Sequence, residues 1–145
     1  MALLLALPVL AQNDKRPRFS PEEFRTKLES FIAQRASLCQ SEREKIFPIY
    51  HEMKEKQREL QRKEYQLKYR TLKPDSPEKD YQEALEKIAN LHIEAAKIES
   101  TYYKKMCKVI SPKKVYNIIL AEDAFHREML QRFSKPQQDK NKRKP

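Results

Sequence analysis

The chain has 145 residues, no glycine, no tryptophan and a formal net charge of +10, with 36% of its residues charged and 39% hydrophobic. That length suits one domain, and the missing glycine excludes a P-loop, a dinucleotide fingerprint and a nucleophile elbow, each of which needs backbone positions only glycine occupies cheaply. The composition fits long amphipathic helices with thin apolar seams better than a thick globular core.

Residues 1–11 (MALLLALPVLA) are apolar and precede a sharply polar stretch. Val9 and Ala11 satisfy the small-residue rule before a signal-peptidase cut, so the expected mature N-terminus is Gln12 and the product is exported. No Lys or Arg precedes the apolar run, a departure that a start site placed too late would explain. Residues 12–19 read as a polar arm. Its Asp14 to Arg18 stretch carries Lys15, Arg16 and Arg18 against one acid.

Three Ser-Pro pairs, Ser20-Pro21, Ser76-Pro77 and Ser111-Pro112, punctuate the rest of the chain. Serine caps a helix well, and proline at the first helical position wastes no hydrogen bond, so each pair predicts a helix start. Ser20 with Glu23 forms a capping box, and Phe19 with Phe24 a hydrophobic staple. The first helix is predicted over 21–35, with Phe24, Leu28, Phe31 and Ile32 on one face. After a break at 36–40, Ser41 with Glu44 predicts the cap of a second helix reaching about Leu72 and kinked at Pro48. The third is predicted over 77–109 with a seam of Ala84, Ile88, Leu91, Ala95, Ile98 and Tyr102, alternating steps of four and three. The fourth is predicted over 112–133, with Val115, Ile118, Ile119, Phe125, Met129 and Phe133 inward. The expected fold is all-α: four helices, of which the second and third form a long antiparallel hairpin and the two shorter ones fold back along it within 20–133. Residues 134–145, with five Lys/Arg against Asp139 for a net +4, read as a disordered basic tail.

Catalytic chemistry finds no constellation. His51, His92 and His126 fall on three different predicted helices, without the spacing of a metal motif. Acid pairs such as Glu22-Glu23 and Glu122-Asp123 read as helix charge and solvated faces. No catalytic, cofactor-binding or metal residue is assigned, and the chain is read as a non-enzyme with no cofactor. The body between the charged ends is nearly balanced in charge, so no specific nucleic-acid site is expected. The cysteines, Cys39 and Cys107, lie just before the second and fourth helices. In a reducing compartment they would be small apolar residues; in an exported protein an even count makes Cys39–Cys107 a candidate disulfide.

The same two junctions carry a resemblance. Leu38-Cys39-Gln40-Ser41-Glu42 resembles the Leu-Thr-x-x-Gln motif of the Spy/CpxP-like periplasmic proteins, and Ile110-Ser111-Pro112-Lys113-Lys114 resembles a second copy. Cys39 stands at the Thr position and Glu42 at the Gln position of the first copy; the second has Ile110, Ser111 and Lys114 at positions one, two and five. Ser111 keeps the capping chemistry of Thr, whereas Cys39 does not, which passes the predicted cap to Ser41. The resemblance implies a cradle-like homodimer in the periplasm, and an ATP-independent chaperone that holds unfolded or misfolded proteins on a basic, apolar-patched surface during envelope stress. It also implies an alternative: a metal-binding or stress-sensing regulator of a membrane signalling protein. If the chain folds as the family does, the two motif junctions lie close together, which would favour the Cys39–Cys107 bridge.

Overall fold

The computed structural model describes residues 19–134, with the side chain of Phe133 excepted. The predicted signal segment, most of the predicted polar arm and the predicted tail beyond Ser134 lie outside the described residues. Four helices follow in order: α1 (Pro21–Arg35), α2 (Gln40–Tyr69), α3 (Glu78–Cys107) and α4 (Pro112–Ser134). There is no strand among the described residues. None of these helices is long and apolar enough to cross a membrane.

Helix α1 has the predicted bounds and the predicted cap. The Glu23 N–H donates to Ser20 Oγ at 3.1 Å, and the Ser20 N–H donates back to the Glu23 carboxylate at 3.2 Å. Its C-terminus closes without the usual glycine. Ser37 adopts φ 52°, the Leu38 N–H donates to the Ala33 carbonyl at 2.9 Å, and the Ser37 N–H donates to that of Gln34 at 3.3 Å. This is a Schellman closure with serine in the left-handed position. It turns the chain so that Leu38 packs against the core and Cys39, the next residue, caps α2.

The start of α2 corrects the predicted cap. Cys39, not Ser41, is the N-cap, and Glu42, not Glu44, reaches back to accept its backbone N–H at 3.0 Å. The Schellman turn dictates where the helix begins, leaving Ser41 already inside the first turn. Helix α2 continues through Pro48, which has no N–H to donate to the carbonyl of Glu44. Between the long helices, Ser76 Oγ accepts from the Lys73 N–H at 2.9 Å and the Tyr81 hydroxyl donates to the Lys73 carbonyl at 2.8 Å. Ser76 is thereby spent on the turn, and Pro77 becomes the N-cap of α3 instead of its first residue.

Helices α2 and α3 are antiparallel, each about 45 Å long at 1.5 Å per residue. Gln57 Nε2 donates to Glu99 at 3.0 Å, and one turn-pair further on Glu64 lies 2.9 Å from His92 Nε2. Seven residues forward along α2 match seven backward along α3. The predicted α3 seam faces α2: Ala84 and Tyr102 are buried, with Ile88, Leu91, Ala95 and Ile98 half-buried between them.

The core sits at one end. Leu28 and Ile32 of α1, Ile46, Phe47, Tyr50 and Met53 of α2, Tyr102 and Met106 of α3, and Val115, Ile118, Ala121, Phe125 and Met129 of α4 form one cluster. The Phe125 ring lies edge-on to Phe24 and Phe31, with centroids 5.3 and 5.4 Å away. The small residues Ala121 and Ala124 are also buried in α4, which lets the helix approach closely; Ile119 is only half-buried. Beyond Met53 in α2 and before Tyr102 in α3, only Leu60 and Ala84 are buried. The molecule is therefore a packed four-helix base carrying a two-helix arm.

Candidate functional site

The two motif-like segments meet in the base. Their first positions point into it: Ile110 is buried and Leu38 half-buried against the same cluster. Their second positions start helices, Cys39 as the cap of α2 and Ser111 with its hydroxyl accepting the Lys114 N–H at 3.4 Å. Their fifth positions bond to each other. Lys114 Nζ lies 2.8 and 2.6 Å from the two carboxylate oxygens of Glu42. The Lys114 ammonium, and then the Cys39 N–H, hold the Glu42 carboxyl below the usual carboxylate range. All six residues singled out by the motif thus lie at the junctions where α1 gives way to α2 and α3 to α4, and their arrangement is that of a brace joining two helix starts.

The cysteines are not brought together. Both are free, exposed thiols. Continuing the hairpin register sets Met106 level with Tyr50, so Cys107 falls about ten residues along α2 from Cys39. That is roughly 15 Å along the axis, well past the ~7 Å Cα separation a disulfide tolerates. The bridge is excluded by register: α2 extends past the end of α3 and meets α4 there.

A second polar group lies within the base, unsignalled by sequence. His51 Nε2 is 2.5 Å from Glu29 across α1 and α2, and Lys54 Nζ is 2.5 Å from Glu122 across α2 and α4. Burial lowers the His51 pKa, with the hydrogen bond to Glu29 only partly opposing it. Burial by itself would raise the Glu29 pKa, but Arg25 and His51 together outweigh it and hold the carboxyl low. Tyr50 is fully buried with no partner for its hydroxyl; burial, then the nearby Glu122 carboxylate, push its ionisation upward. These groups tie the three helices together around one aromatic ring.

The histidines do not converge. His51 bonds Glu29 and His92 bonds Glu64 on the arm, while His126 is exposed on α4. No group of three His, Cys, Asp or Glu that could hold a metal occurs among the described residues.

The arm presents a different surface. Tyr65, Tyr69, Leu85 and Ile93 are all more than half exposed on it, set among Lys56, Arg58, Arg62, Lys63, Lys68, Lys79 and Lys87. Carboxylates of the same helices offset part of this charge through i,i+3 and i,i+4 pairs, such as Glu55 with Arg58 and Glu64 with Lys68. What the arm offers chemically is exposed apolar contact beside exposed charge, along two helices held together by a thin seam with Leu60 and Ala84 as its buried points. Compared with known proteins, the chain matches no family model, no curated protein and no solved structure.

Proposed function

We propose that the protein is an exported, ATP-independent chaperone-like binding protein of the periplasm. It holds unfolded or misfolded proteins during envelope stress and works as a cradle-like homodimer. The observation that carries this reading is the division of the molecule into a packed base and a nearly coreless arm. The base closes one apolar cluster within the chain, though Tyr116, Leu120 and Leu130 of α4 stay exposed on its outside. The arm leaves large apolar side chains in water beside cationic ones, and scattered contacts of that kind bind many sequences weakly enough to release them. Holding requires no chemical step. The two motif-like helix starts in the base, Leu38–Glu42 and Ile110–Lys114, support the Spy/CpxP-like resemblance from which the periplasmic location and the dimer are taken.

The test is suppression of light scattering by a chemically denatured client, without nucleotide, using the mature protein. Protection at a few-fold molar excess is expected, weakening as salt rises because exposed charges more than about 10 Å apart are screened at 0.1 M. Absence of protection together with stoichiometric binding of zinc or copper would replace this reading with that of a metal-responsive regulator of a membrane signalling protein.

A further inference from the structure

The side of α2 that faces away from α3 carries a continuous stripe. Glu55, Arg58, Arg62, Tyr65 and Tyr69 follow one another at steps of three and four, and so lie on one helical face. Leu60 and Glu64, which meet α3, sit on the opposite side. The first four of these, with Gln61, Gln66, Arg70 and Thr71, line a shallow open groove of about 1040 Å³, and Tyr69 lies just outside it. The two tyrosine rings lie 4.9 Å apart and are both exposed. Within the groove a single acid serves two guanidinium groups: Glu55 is 2.6 Å from Arg58 and 3.6 Å from Arg62. Arg70 forms no ion pair among the described residues.

We infer that this stripe is the binding face for an extended acidic peptide segment, a reading that rests on the proposed holding function and names the segment it selects. Three guanidinium groups against one carboxylate leave donors unspent, and guanidinium is the cation whose planar fork matches carboxylates. The Glu55 carboxylate already occupies the position a ligand carboxylate would take between Arg58 and Arg62. The tyrosine pair supplies apolar area with little side-chain entropy to lose. From Glu55 to Tyr69 the stripe is about 21 Å long at 1.5 Å per residue, which an extended strand covers with about six residues. A segment of that length carrying two or three acids and an aromatic or aliphatic side chain therefore matches the face in charge and reach.

The experiment is fluorescence anisotropy with a labelled eight-residue peptide of alternating glutamate and tyrosine, its glutamine counterpart, and a labelled oligothymidylate of equal charge. The glutamate peptide is expected to bind and to lose affinity with salt. The variant R58Q/R62Q/R70Q should bind it at least about tenfold more weakly, a loss of roughly 1.4 kcal/mol. A variant of equal charge change on α3, K79Q/K97Q/K104Q, should bind within about twofold of the wild type, which corresponds to about 0.4 kcal/mol. Circular dichroism showing unchanged helicity ties the loss to the face. Equal binding by the two triple variants, equal binding of the glutamine peptide, or tighter binding of the oligonucleotide would each overturn the assignment. Client protection measured in parallel separates the two ideas: protection that survives R58Q/R62Q/R70Q alongside unchanged peptide affinity overturns the face alone, whereas peptide binding without any protection overturns the holding function and leaves the face standing.

Discussion

Glu42 and Lys114, 72 positions apart in the chain, form an ion pair that joins the first turn of α2 to the first turn of α4, with both carboxylate oxygens within 2.8 Å of the ammonium. The same carboxylate caps Cys39, so one side chain serves a local and a long-range role. Glu42→Gln keeps a side chain able to cap but loses the ion pair, while Glu42→Ala loses both. The alanine variant is therefore expected to melt at a lower temperature than the glutamine variant. Because the folded Glu42 carboxyl titrates below its ordinary value of 4.5, its contribution is complete above that pH and is lost as pH falls through the lowered value. Lys114→Met should make the acid side of the stability curve shallower, as read by thermal melts between pH 3 and 6.

Ser37 holds a left-handed conformation that glycine adopts without penalty. Ser37→Gly is expected to stabilise the protein by about 1 kcal/mol, since a side chain at that position costs of this order. Ser37→Val, with a branched β-carbon, should destabilise it. Urea midpoints at constant slope check both; a glycine variant less stable than wild type would show that the Ser37 side chain makes an interaction the backbone argument omits.

Deletions in base and arm should behave oppositely. Ile118 is fully buried in the base, and Ile118→Ala is expected to cost about 3 kcal/mol. Leu85 and Ile93 are exposed on the arm, so Leu85→Ser and Ile93→Ser should change stability by less than about 0.5 kcal/mol. If the arm holds clients, this pair of changes lowers protection in the scattering assay while the melt is unmoved.

His51 titrates below its ordinary value of 6.5 because it is buried between α1 and α2. The unfolded chain therefore binds this proton first. Its effect on stability is absent above pH 6.5 and grows unfavourable as pH falls through 6.5 toward the lowered folded value. The groups facing it are Glu29 and Arg25 from α1 and Arg58 on its own helix. Wild type is expected to lose stability between pH 7.5 and 5.5, and His51→Gln should flatten that part of the curve, as measured by chemical denaturation at each pH.

Both cysteines are expected to react as free thiols. Two equivalents of an aromatic disulfide reagent should be consumed per native chain purified without reductant, because both are exposed and lie on levels of the hairpin that no single-chain bridge can span. One equivalent or none would indicate a bond that the register does not permit within one chain.

Local features were legible from residue type and spacing. The Ser20–Glu23 box, the bounds of α1 and the existence of four helices depend on neighbours within a turn or two, and the antiparallel hairpin and the inward seam of α3 were legible from a short connection between two long helices and a regular three-four spacing. Other features depend on how distant chain segments meet, and packing settled those. The cap of α2 fell on Cys39 because the Schellman turn at Ser37 delivers the chain there, overriding the better capping chemistry of Ser41. Pro77 lost its place as first helical residue because Ser76 is held by Lys73 in the turn. The Cys39–Cys107 bridge failed on the stagger of α2 against α3, a quantity fixed by which seam layers interdigitate and invisible to a count of cysteines. Glu42 and Lys114 stand at the fifth positions of the motif-like segments, but their pairing, like the Tyr50, His51, Glu29, Lys54 and Glu122 group, has no sequence signature, since ion pairs between distant segments need only complementary ends brought within reach, and only packing of the apolar faces brings them there.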